Sequence, residues 1–383
     1  MNINPIEDCY RQLKSQGKNI LRLFSGNPID EGIQFPGEIL QKSYSEYFKT
    51  LDYHPDSKGW IGAREAIAQY YESQNALVHP ENILLTSGTS ESFFYLFSLL
   101  TEPGDNILTP NPAYPLFDHI AELKHIELRH YPLVEDNHWS VNIETLKQKT
   151  DSRTKAIVII SPHNPTGSVL SVEEVNAITT WANEKNIPLI CDEVFSEFYF
   201  GQNNFPRVIS VAQPDLCFTL NGLSKMFALP SMKLSWMAVT GQKPRVNAVV
   251  DQLEIMTDTF LSCHTAIQRA LPSILNEGKN FLKEYQNEVL RRRNLAVSLL
   301  KKSSLIEYVE PQGGFYLMGH VLGAETSDED RWVTDLMKSQ NIFVHPGYFF
   351  DYEVGLHFII SFLTHPEKLE PGIQALINYI HEK

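Results

Sequence analysis

Short apolar runs alternate with helix-like stretches between about residue 60 and residue 240. The runs predicted as strands are Asn82–Thr86, Asn106–Leu108, Ala156–Ile160, Ile187–Cys191 and Cys217–Leu220. The stretches predicted as helices are Ala63–Tyr71, Glu91–Leu100 and Val172–Asn186, and in the second of these apolar side chains recur at helical spacing. Short strands that alternate with helices predict an α/β fold with a large, mostly parallel sheet covered by helices on both faces.

The C-terminal third of the chain has a different pattern. One long helical segment is predicted from about residue 265 to residue 302, and three strand-like segments follow it: Val309–Met318, Asn341–Gly347 and Phe358–Phe362. They predict a smaller α+β domain, onto which the N-terminal segment is expected to fold. Because 383 residues exceed what one hydrophobic core usually serves, we expect a large domain over residues 45–275 and a small domain over residues 1–44 and 276–383.

Composition and charge narrow the classes of partner. The formal net charge of −14 argues against nucleic acid or an anionic membrane, since both require a basic surface. The cysteines form no CxxC pair, which makes zinc-binding and redox motifs poor interpretations; they are Cys9, Cys191, Cys217 and Cys263. The N-terminus has no basic segment that leads into an apolar one, and no apolar stretch is long enough to cross a bilayer. We therefore expect a cytoplasmic protein.

Three polar side chains follow separate strands of the predicted sheet. Asn164, Asp192 and Lys225 each come shortly after an apolar run. Ligands of mostly parallel sheets bind at the carboxyl ends of the strands, so these three side chains can converge on one ligand. An aldehyde cofactor with a pyridine ring needs this set: an amine to form an imine, a carboxylate for the ring nitrogen and a donor for the ring hydroxyl.

The order and spacing of these motifs resemble the fold-type I pyridoxal-phosphate (PLP) enzymes, specifically the class I and II aminotransferases. The resemblance runs from Ser25–Pro28 to Phe358–Phe362, and it implies an aspartate-aminotransferase-like fold with PLP as the cofactor. It also implies that Lys225 forms the Schiff base and later moves a proton, that Asp192 pairs with the protonated ring nitrogen, and that Asn164 donates to the ring hydroxyl. Taken singly, these residues have simpler interpretations: a surface lysine, a solvated aspartate at a strand end and a turn asparagine.

Further residues match the family's contacts with the cofactor. Gly88, Thr89 and Ser90 precede a predicted helix, and the first N–H groups of a helix bind phosphate well. An ordinary N-cap is the simpler interpretation of this segment, and both can hold. Tyr114 matches the aromatic residue that stacks on the cofactor ring, although a loop aromatic packed into the core is a competing interpretation.

Ser224, Tyr53 and Lys233 complete the set of expected cofactor contacts. Ser224 lies directly before the lysine. In the family, a tyrosine that matches Tyr53 reaches the phosphate bound by the neighbouring subunit. The resemblance therefore implies a homodimer with shared active sites.

Three departures from the family pattern concern the cofactor. Lys233 stands where members commonly carry an arginine for the phosphate, and a lysine keeps the charge but loses the bidentate fork. Gly222 stands in place of a phosphate-binding serine two positions before Ser224. Phe195 stands in place of a tyrosine that hydrogen-bonds the ring hydroxyl.

A fourth departure concerns the substrate. Ile359 occupies the position where most members hold the substrate carboxylate with an arginine. The enzyme then either holds the carboxylate elsewhere or uses an amine whose acid group lies differently. Gly26, Arg22 and His357 are the candidate substrate-binding residues, although a surface arginine and an ordinary strand histidine are the simpler interpretations of the last two.

These observations predict a PLP-dependent aminotransferase that acts on an amino acid or related amine, with a keto acid as the acceptor and an atypical substrate pocket. The alternative is a PLP-dependent lyase, decarboxylase or oxidase on the same fold, since both the arginine and the tyrosine are missing. A PLP-sensing regulatory protein fits less well, because such proteins typically add a DNA-binding domain. An NAD-binding enzyme also fits less well, because no GxGxxG motif follows an early strand.

Overall fold

The computed structural model describes residues 4–324 and 328–382. Its strands are β1 (Leu21–Arg22), β2 (Ile83–Thr86), β3 (Asn106–Asn111), β4 (Glu127–Val134), β5 (Ser140–Val141), β6 (Thr154–Ile160), β7 (Leu189–Asp192), β8 (Leu216–Gly222), β9 (Ser235–Gly241), β10 (Ile306–Tyr308), β11 (Tyr316–Val321), β12 (Ile342–Phe343), β13 (His345–Pro346) and β14 (His357–Ser361). Its helices are α1 (Pro5–Ser15), α2 (Gly37–Thr50), α3 (Ile61–Ser73), α4 (Thr89–Leu100), α5 (Leu116–Lys124), α6 (Ile143–Lys149), α7 (Val172–Lys185), α8 (Val208–Val211), α9 (Leu223–Met226), α10 (Lys243–Phe260), α11 (Thr265–Glu277), α12 (Lys279–Leu300), α13 (Glu329–Gln340) and α14 (Pro366–Glu382).

The largest sheet in the described ranges has the strand order β2-β9-β8-β7-β6-β3-β4-β5. Strands β8, β7, β6, β3 and β4 are parallel to one another, whereas β9 is antiparallel to both of its neighbours and β5 is antiparallel to β4. This arrangement confirms the mostly parallel sheet that was predicted from the sequence.

Both faces of this sheet are buried. Along β6, Ile157 and Ile159 pack on one face with apolar residues of α7, whereas Val158 and Ile160 pack on the other face with α4 and α10. Alternate side chains of a strand point to opposite faces, so a strand covered on both sides reads as a continuous apolar run. The predicted helical layers on both faces are confirmed.

Local sequence signals set the ends of α7. Ser171 and Glu174 form a capping box at its start, in which each side chain accepts a hydrogen bond from the backbone of the other residue. Asn186 ends the helix in the left-handed conformation, with φ 58°. Because these ends are set locally, the helix was predicted within one residue at each end.

A second, antiparallel sheet has the order β10-β11-β14-β13, and β1 pairs with β12 in a separate two-stranded sheet. Apolar residues of α1, α12, α13 and α14 share one core with this region, among them Ile6, Val289, Leu336 and Ile373. The N-terminal segment therefore packs with C-terminal elements, as the sequence predicted.

Two details of the C-terminal region differ from the prediction. The helical segment expected over residues 265–302 is divided at Gly278 into α11 and α12. The strand expected over Val309–Met318 begins only at Tyr316, because Gly313 bridges to Tyr199 instead and Gly314 has a positive φ of 75° that interrupts the extended backbone.

The predicted domain boundaries fall inside α2 and α11, and these two helices pack against each other. The division of the chain into residues 45–275 and the remainder stays a prediction. Among the described helices, none combines the length and the apolar composition needed to cross a bilayer.

Candidate active site

The carboxyl ends of three neighbouring parallel strands bring the predicted residues together. Asp192 ends β7, Asn164 lies in the loop after β6, and Lys225 lies on α9 just after β8. All three line one cavity of about 200 Å³. The other predicted cofactor residues that line the same cavity are Gly88, Thr89, Ser90, Tyr114, Ser224 and Lys233.

Larger depressions, of about 1050 and 1000 Å³, lie elsewhere on the surface. Neither is lined by Asp192 or Lys225, whereas the smaller cavity collects both of these residues, whose pKa values are strongly shifted. Buried groups with shifted pKa values mark a functional site better than size does. The 200 Å³ cavity is therefore the candidate active site.

Asp192 is a carboxylic acid in a dry environment. Its side chain accepts a hydrogen bond from the Val194 N–H at 3.1 Å, and the residue is 8% exposed. The pKa of Asp192 is raised to about 7, mainly by burial and in part by the charge of Glu193. The hydrogen bond from Val194 and the charge of Lys225 act in the opposite direction. A cation placed beside Asp192 would restore the ionised carboxylate.

Lys225 is an amine that can lose its proton near neutral pH. Its Nζ donates a hydrogen bond to the Gly26 carbonyl oxygen at 2.8 Å. Burial lowers the pKa of Lys225 to about 8, although the charge of Asp192 acts in the opposite direction. The neutral amine is the nucleophilic form, so this environment favours attack on an aldehyde.

Gly26 and Tyr316 lie directly beside the Lys225 amine. A Cβ atom at Gly26 would lie 1.9 Å from the Tyr316 hydroxyl oxygen and 3.6 Å from Lys225 Nζ. Only a glycine permits this approach. Tyr316 also lines the cavity. It was not predicted from the sequence, because a tyrosine within an apolar strand is usually a core residue. The Gly-Gly pair that precedes this strand was the one feature that could have indicated it.

One end of the cavity is suited to an anion. The cavity reaches the start of α4, where the first N–H groups have no intrahelical acceptor. A Cβ atom at Gly88 would lie 3.4 Å from Lys233 Nζ, which places an ammonium group against this helix start. Ser224 lines the same end, so the cavity offers backbone, hydroxyl and ammonium donors.

The other walls carry an amide and two aromatic rings. A buried side-chain oxygen of Asn164 has no hydrogen-bond partner among the described residues. The residue also lines the cavity, where its NH2 group can donate to a polar ligand group. Tyr114 and Phe195 also line the cavity, and burial together with the Asp192 charge raises the pKa of Tyr114.

A buried ion pair supports the site from behind. Arg207 and Glu193 pair with side chains that are 2% and 3% exposed. Arg207 also donates hydrogen bonds to Tyr70 and Ser196, and Ser196 in turn accepts one from Asn221. This network links the residue after Asp192 to the end of β8, and it therefore holds the ends of β7 and β8 in a fixed relation.

Tyr53, Arg22 and His357 do not line the cavity of this chain. Tyr53 is 61% exposed, and Arg22 is exposed on β1. His357 is buried, its Nε2 lies 3.2 Å from a Glu135 oxygen, and its ring stacks on His320. The structure thus places these three candidates apart from the others, and their roles stay predictions.

Ile359 is fully buried in β14. It belongs to an apolar cluster with Met318 and Phe350, and Tyr316 packs against the same cluster. The position where the family pattern has an arginine is therefore apolar here, and neither Arg22 nor His357 projects a charge into the cavity in its place.

Comparisons with known proteins cover nearly the whole chain. The family model for aminotransferase class I and II matches residues 18–376. The chain is 30% identical to glutamate-pyruvate aminotransferase AlaA of Haemophilus influenzae, over 99% of this chain and 95% of that protein. It is 27% identical to the Escherichia coli protein of the same name, over 98% and 94% of the two chains.

Solved structures agree in fold. An alanine aminotransferase from Pyrococcus furiosus superimposes with a TM-score of 0.93 at 26% identity, covering 100% of this chain and 98% of that one. A double mutant of Thermus thermophilus aspartate aminotransferase superimposes with a TM-score of 0.86 at 24% identity, covering 98% and 95%. The aspartate-aminotransferase-like fold expected from the sequence is therefore confirmed.

Proposed function

The chain belongs to the class I and II aminotransferases, which are PLP-dependent enzymes, and from this premise we propose that Lys225 carries the cofactor and that the substrate amine enters a pocket without the usual carboxylate-binding arginine. The observation that carries the proposal is the convergence of Lys225, Asp192 and Asn164 on one cavity. The amino donor would be an amino acid or related amine, and the acceptor a keto acid.

The residues present fit the cofactor. Asp192 is a buried carboxyl whose pKa rises to about 7, and a protonated pyridine nitrogen would supply the cation that it lacks. The side-chain amide of Asn164, which lines the cavity and can donate through its NH2 group, and the anion-binding start of α4 fit the polar substituents of the ring. When bound, the cofactor supplies an aldehyde that takes up an amine and a cationic ring that withdraws electrons from the substrate Cα.

Lys225 is both the attachment point for the cofactor and the general base in this proposal. Its amine would be the point of attachment for the cofactor aldehyde and would become free when a substrate amine binds. Its Nζ, with its pKa lowered to about 8, would serve as the base that takes up and returns the Cα proton of the substrate. The Gly26 carbonyl, 2.8 Å from Nζ, holds the amine in position between these steps.

Asp192 would hold the proton on the ring nitrogen. Its low exposure means that the attraction between the carboxylate and the ring is little screened by water. Phe195 offers no hydroxyl to the cofactor, so among the predicted residues the ring hydroxyl depends on Asn164 alone. Tyr114 provides the aromatic surface for stacking.

The substrate side is apolar where an arginine is usual. Ile359 is buried among aliphatic and aromatic side chains and offers no hydrogen bond to a carboxylate. We therefore propose that the carboxylate is held near the Gly26 loop or that the preferred amine carries its acid group at a different distance. Arg22 and His357 could contact the substrate only if β1 or β14 moved, because neither side chain lines the cavity.

The active unit in this proposal is a homodimer in which Tyr53 reaches the phosphate of the neighbouring subunit. Tyr53 is 61% exposed and does not line the cavity of its own chain. Phe48, Leu51, Phe260 and Leu261 are each about 60% exposed or more, which is unusual for large apolar side chains. A second copy that covered them would bury this apolar surface.

Borohydride trapping tests the attachment. Purified protein incubated with PLP and reduced should carry the cofactor on the peptide that contains Lys225, as read by mass spectrometry. Lys225→Ala should lose this label, and the exposed Lys49→Ala should keep it. A protein that takes up no cofactor, or labels elsewhere, would contradict the proposal.

A half-reaction distinguishes transamination from the alternative. The loaded enzyme is mixed with L-alanine, L-glutamate or an amine without a carboxylate, and absorbance is followed without any keto acid. Accumulation of the aminated cofactor supports transamination. Repeated turnover without that species supports a lyase, decarboxylase or oxidase, which the absence of an arginine at position 359 makes a real competitor.

A further inference from the structure

Gly222 and Ser235 face each other across β8 and β9. They are register partners in the antiparallel pair. A Cβ atom built on Gly222 would lie 2.2 Å from Ser235 Oγ and 2.8 Å from Ser235 Cβ. Gly222 has an extended backbone, with φ 177°, that any residue can adopt. The glycine is therefore required for space, because the side chain of Ser235 fills the volume that a residue-222 side chain would occupy.

Ser235 is a buried residue whose side chain faces the cavity. The residue is 3% exposed and lines the candidate active site. No hydrogen bond joins its hydroxyl to any other described residue. Thr86, its register partner on β2, bonds instead to Ser92 at 2.8 Å. A hydroxyl that lines a cavity and is not engaged by the protein is free to donate a hydrogen bond to a ligand, so a polar group of a ligand is the natural acceptor.

The surroundings of Ser235 identify the chemical class of that ligand group. The start of α4, Ser224 and Lys233 line the same cavity, and all of them present hydrogen-bond donors. Lys233 cannot form the two parallel hydrogen bonds of an arginine, which leaves an anion at this end in need of a further donor. A group with several charged oxygens, such as a phosphate, satisfies all of these donors together.

We propose that Ser235 binds the cofactor phosphate and replaces, from the opposite strand, the hydroxyl that is absent at Gly222. This inference rests on the proposed function, because it assumes that PLP occupies the cavity. It assigns a phosphate contact to β9, a strand that carried none of the residues expected from the sequence. The position of the Ser235 side chain also explains why a glycine stands at position 222.

Affinity for two forms of the cofactor tests the proposal. Dissociation constants are measured for PLP and for pyridoxal, which lacks the phosphate, by titration of cofactor-free protein. Ser235→Ala should weaken PLP binding by about 10-fold or more, since a hydrogen bond to a charged group is lost. Pyridoxal binding should be unchanged. Ser98→Ala, which removes a buried hydroxyl outside the cavity, is the control and should alter neither constant.

Exchanging the two residues gives a second, independent measurement. Gly222→Ser alone should lower the melting temperature, because its Cβ would collide with Ser235. The double variant Gly222→Ser with Ser235→Gly should recover both the melting temperature and most of the PLP affinity. A double variant that folds but binds PLP no better than Ser235→Ala would overturn the proposal.

The proposed function and the proposed role of Ser235 would be contradicted by different results. If the wild-type protein binds neither PLP nor pyridoxal, the proposed function fails. If the wild type binds both, and Ser235→Ala weakens them equally or not at all, only the role of Ser235 fails.

Discussion

Asp192→Asn should stabilise the cofactor-free protein at neutral and higher pH. Burial raises the pKa of Asp192 from its ordinary 3.8 to about 7. At about 1.4 kcal/mol for each pH unit, ionising this carboxyl in the folded state costs about 4 kcal/mol. Asparagine keeps the shape, its oxygen can still accept the hydrogen bond from the Val194 N–H, and it carries no charge to bury.

The direction in which the stability difference changes with pH follows from the number of protons bound in the folded and unfolded states. Between about pH 4 and pH 7 the unfolded carboxyl is ionised while the folded one keeps its proton, so unfolding releases a proton. Rising pH therefore favours unfolding of the wild type until the folded carboxyl also ionises near pH 7. The variant lacks this dependence, so its advantage should be about 2 kcal/mol at pH 5 and about 4 kcal/mol at pH 8.

Urea unfolding of cofactor-free wild type and variant at the two pH values measures this advantage. The exposed Asp52→Asn is the matched control and should change the free energy of unfolding by less than about 0.5 kcal/mol. Adding saturating PLP should reverse the order, because the wild type binds the cofactor more tightly and gains more stability from it. An Asp192→Asn protein that is less stable than wild type at pH 8 without cofactor, or an advantage that does not grow with pH, would refute the reasoning.

Three further predictions concern the surroundings of this carboxyl. The rate of PLP attachment to cofactor-free protein, followed by absorbance, should rise with pH and level off above about 8, the pKa of Lys225; a rate that still climbs at pH 10 would indicate an ordinary lysine. Arg207→Met should lower the free energy of unfolding by about 3–5 kcal/mol, because its buried carboxylate partner is left unpaired; Lys49→Met, at an exposed ion pair, should cost less than about 1 kcal/mol in the same urea assay. Gly26→Ala should reduce kcat/KM for the amine at least about tenfold, because its Cβ would displace the Tyr316 hydroxyl; unchanged kinetics would show that this contact is not needed.

The strands that sequence reasoning missed share a physical cause. β4 carries Glu127, Arg129 and Pro132 among its apolar residues, so its pattern resembles a loop, although backbone pairing with β3 makes it a strand. β9 follows closely after the segment that contains Lys225, and it was not predicted as a separate strand. Strand pairing is a long-range interaction, and a local pattern of side chains does not report it.

The break at Gly278 shows the same limit for helices. The apolar pattern continues from α11 into α12, so a single helix was the natural prediction. A Cβ at Gly278 would lie 2.9 Å from Phe227 and 3.0 Å from Phe35. This glycine permits close packing between distant parts of the chain, and that reason is visible only after the chain has folded.

The sequence by itself determined the α/β architecture and the strand ends at which Asn164, Asp192 and Lys225 lie, because apolar periodicity and turn residues act over a few neighbouring positions. Only the tertiary structure decided that Tyr316 and Gly26 lie beside the lysine amine, that burial shifts the pKa values of Asp192 and Lys225 towards neutrality, and that Ser235 fills the space left by Gly222. These properties depend on distance and on the exclusion of water, and both are set by segments far apart in the chain.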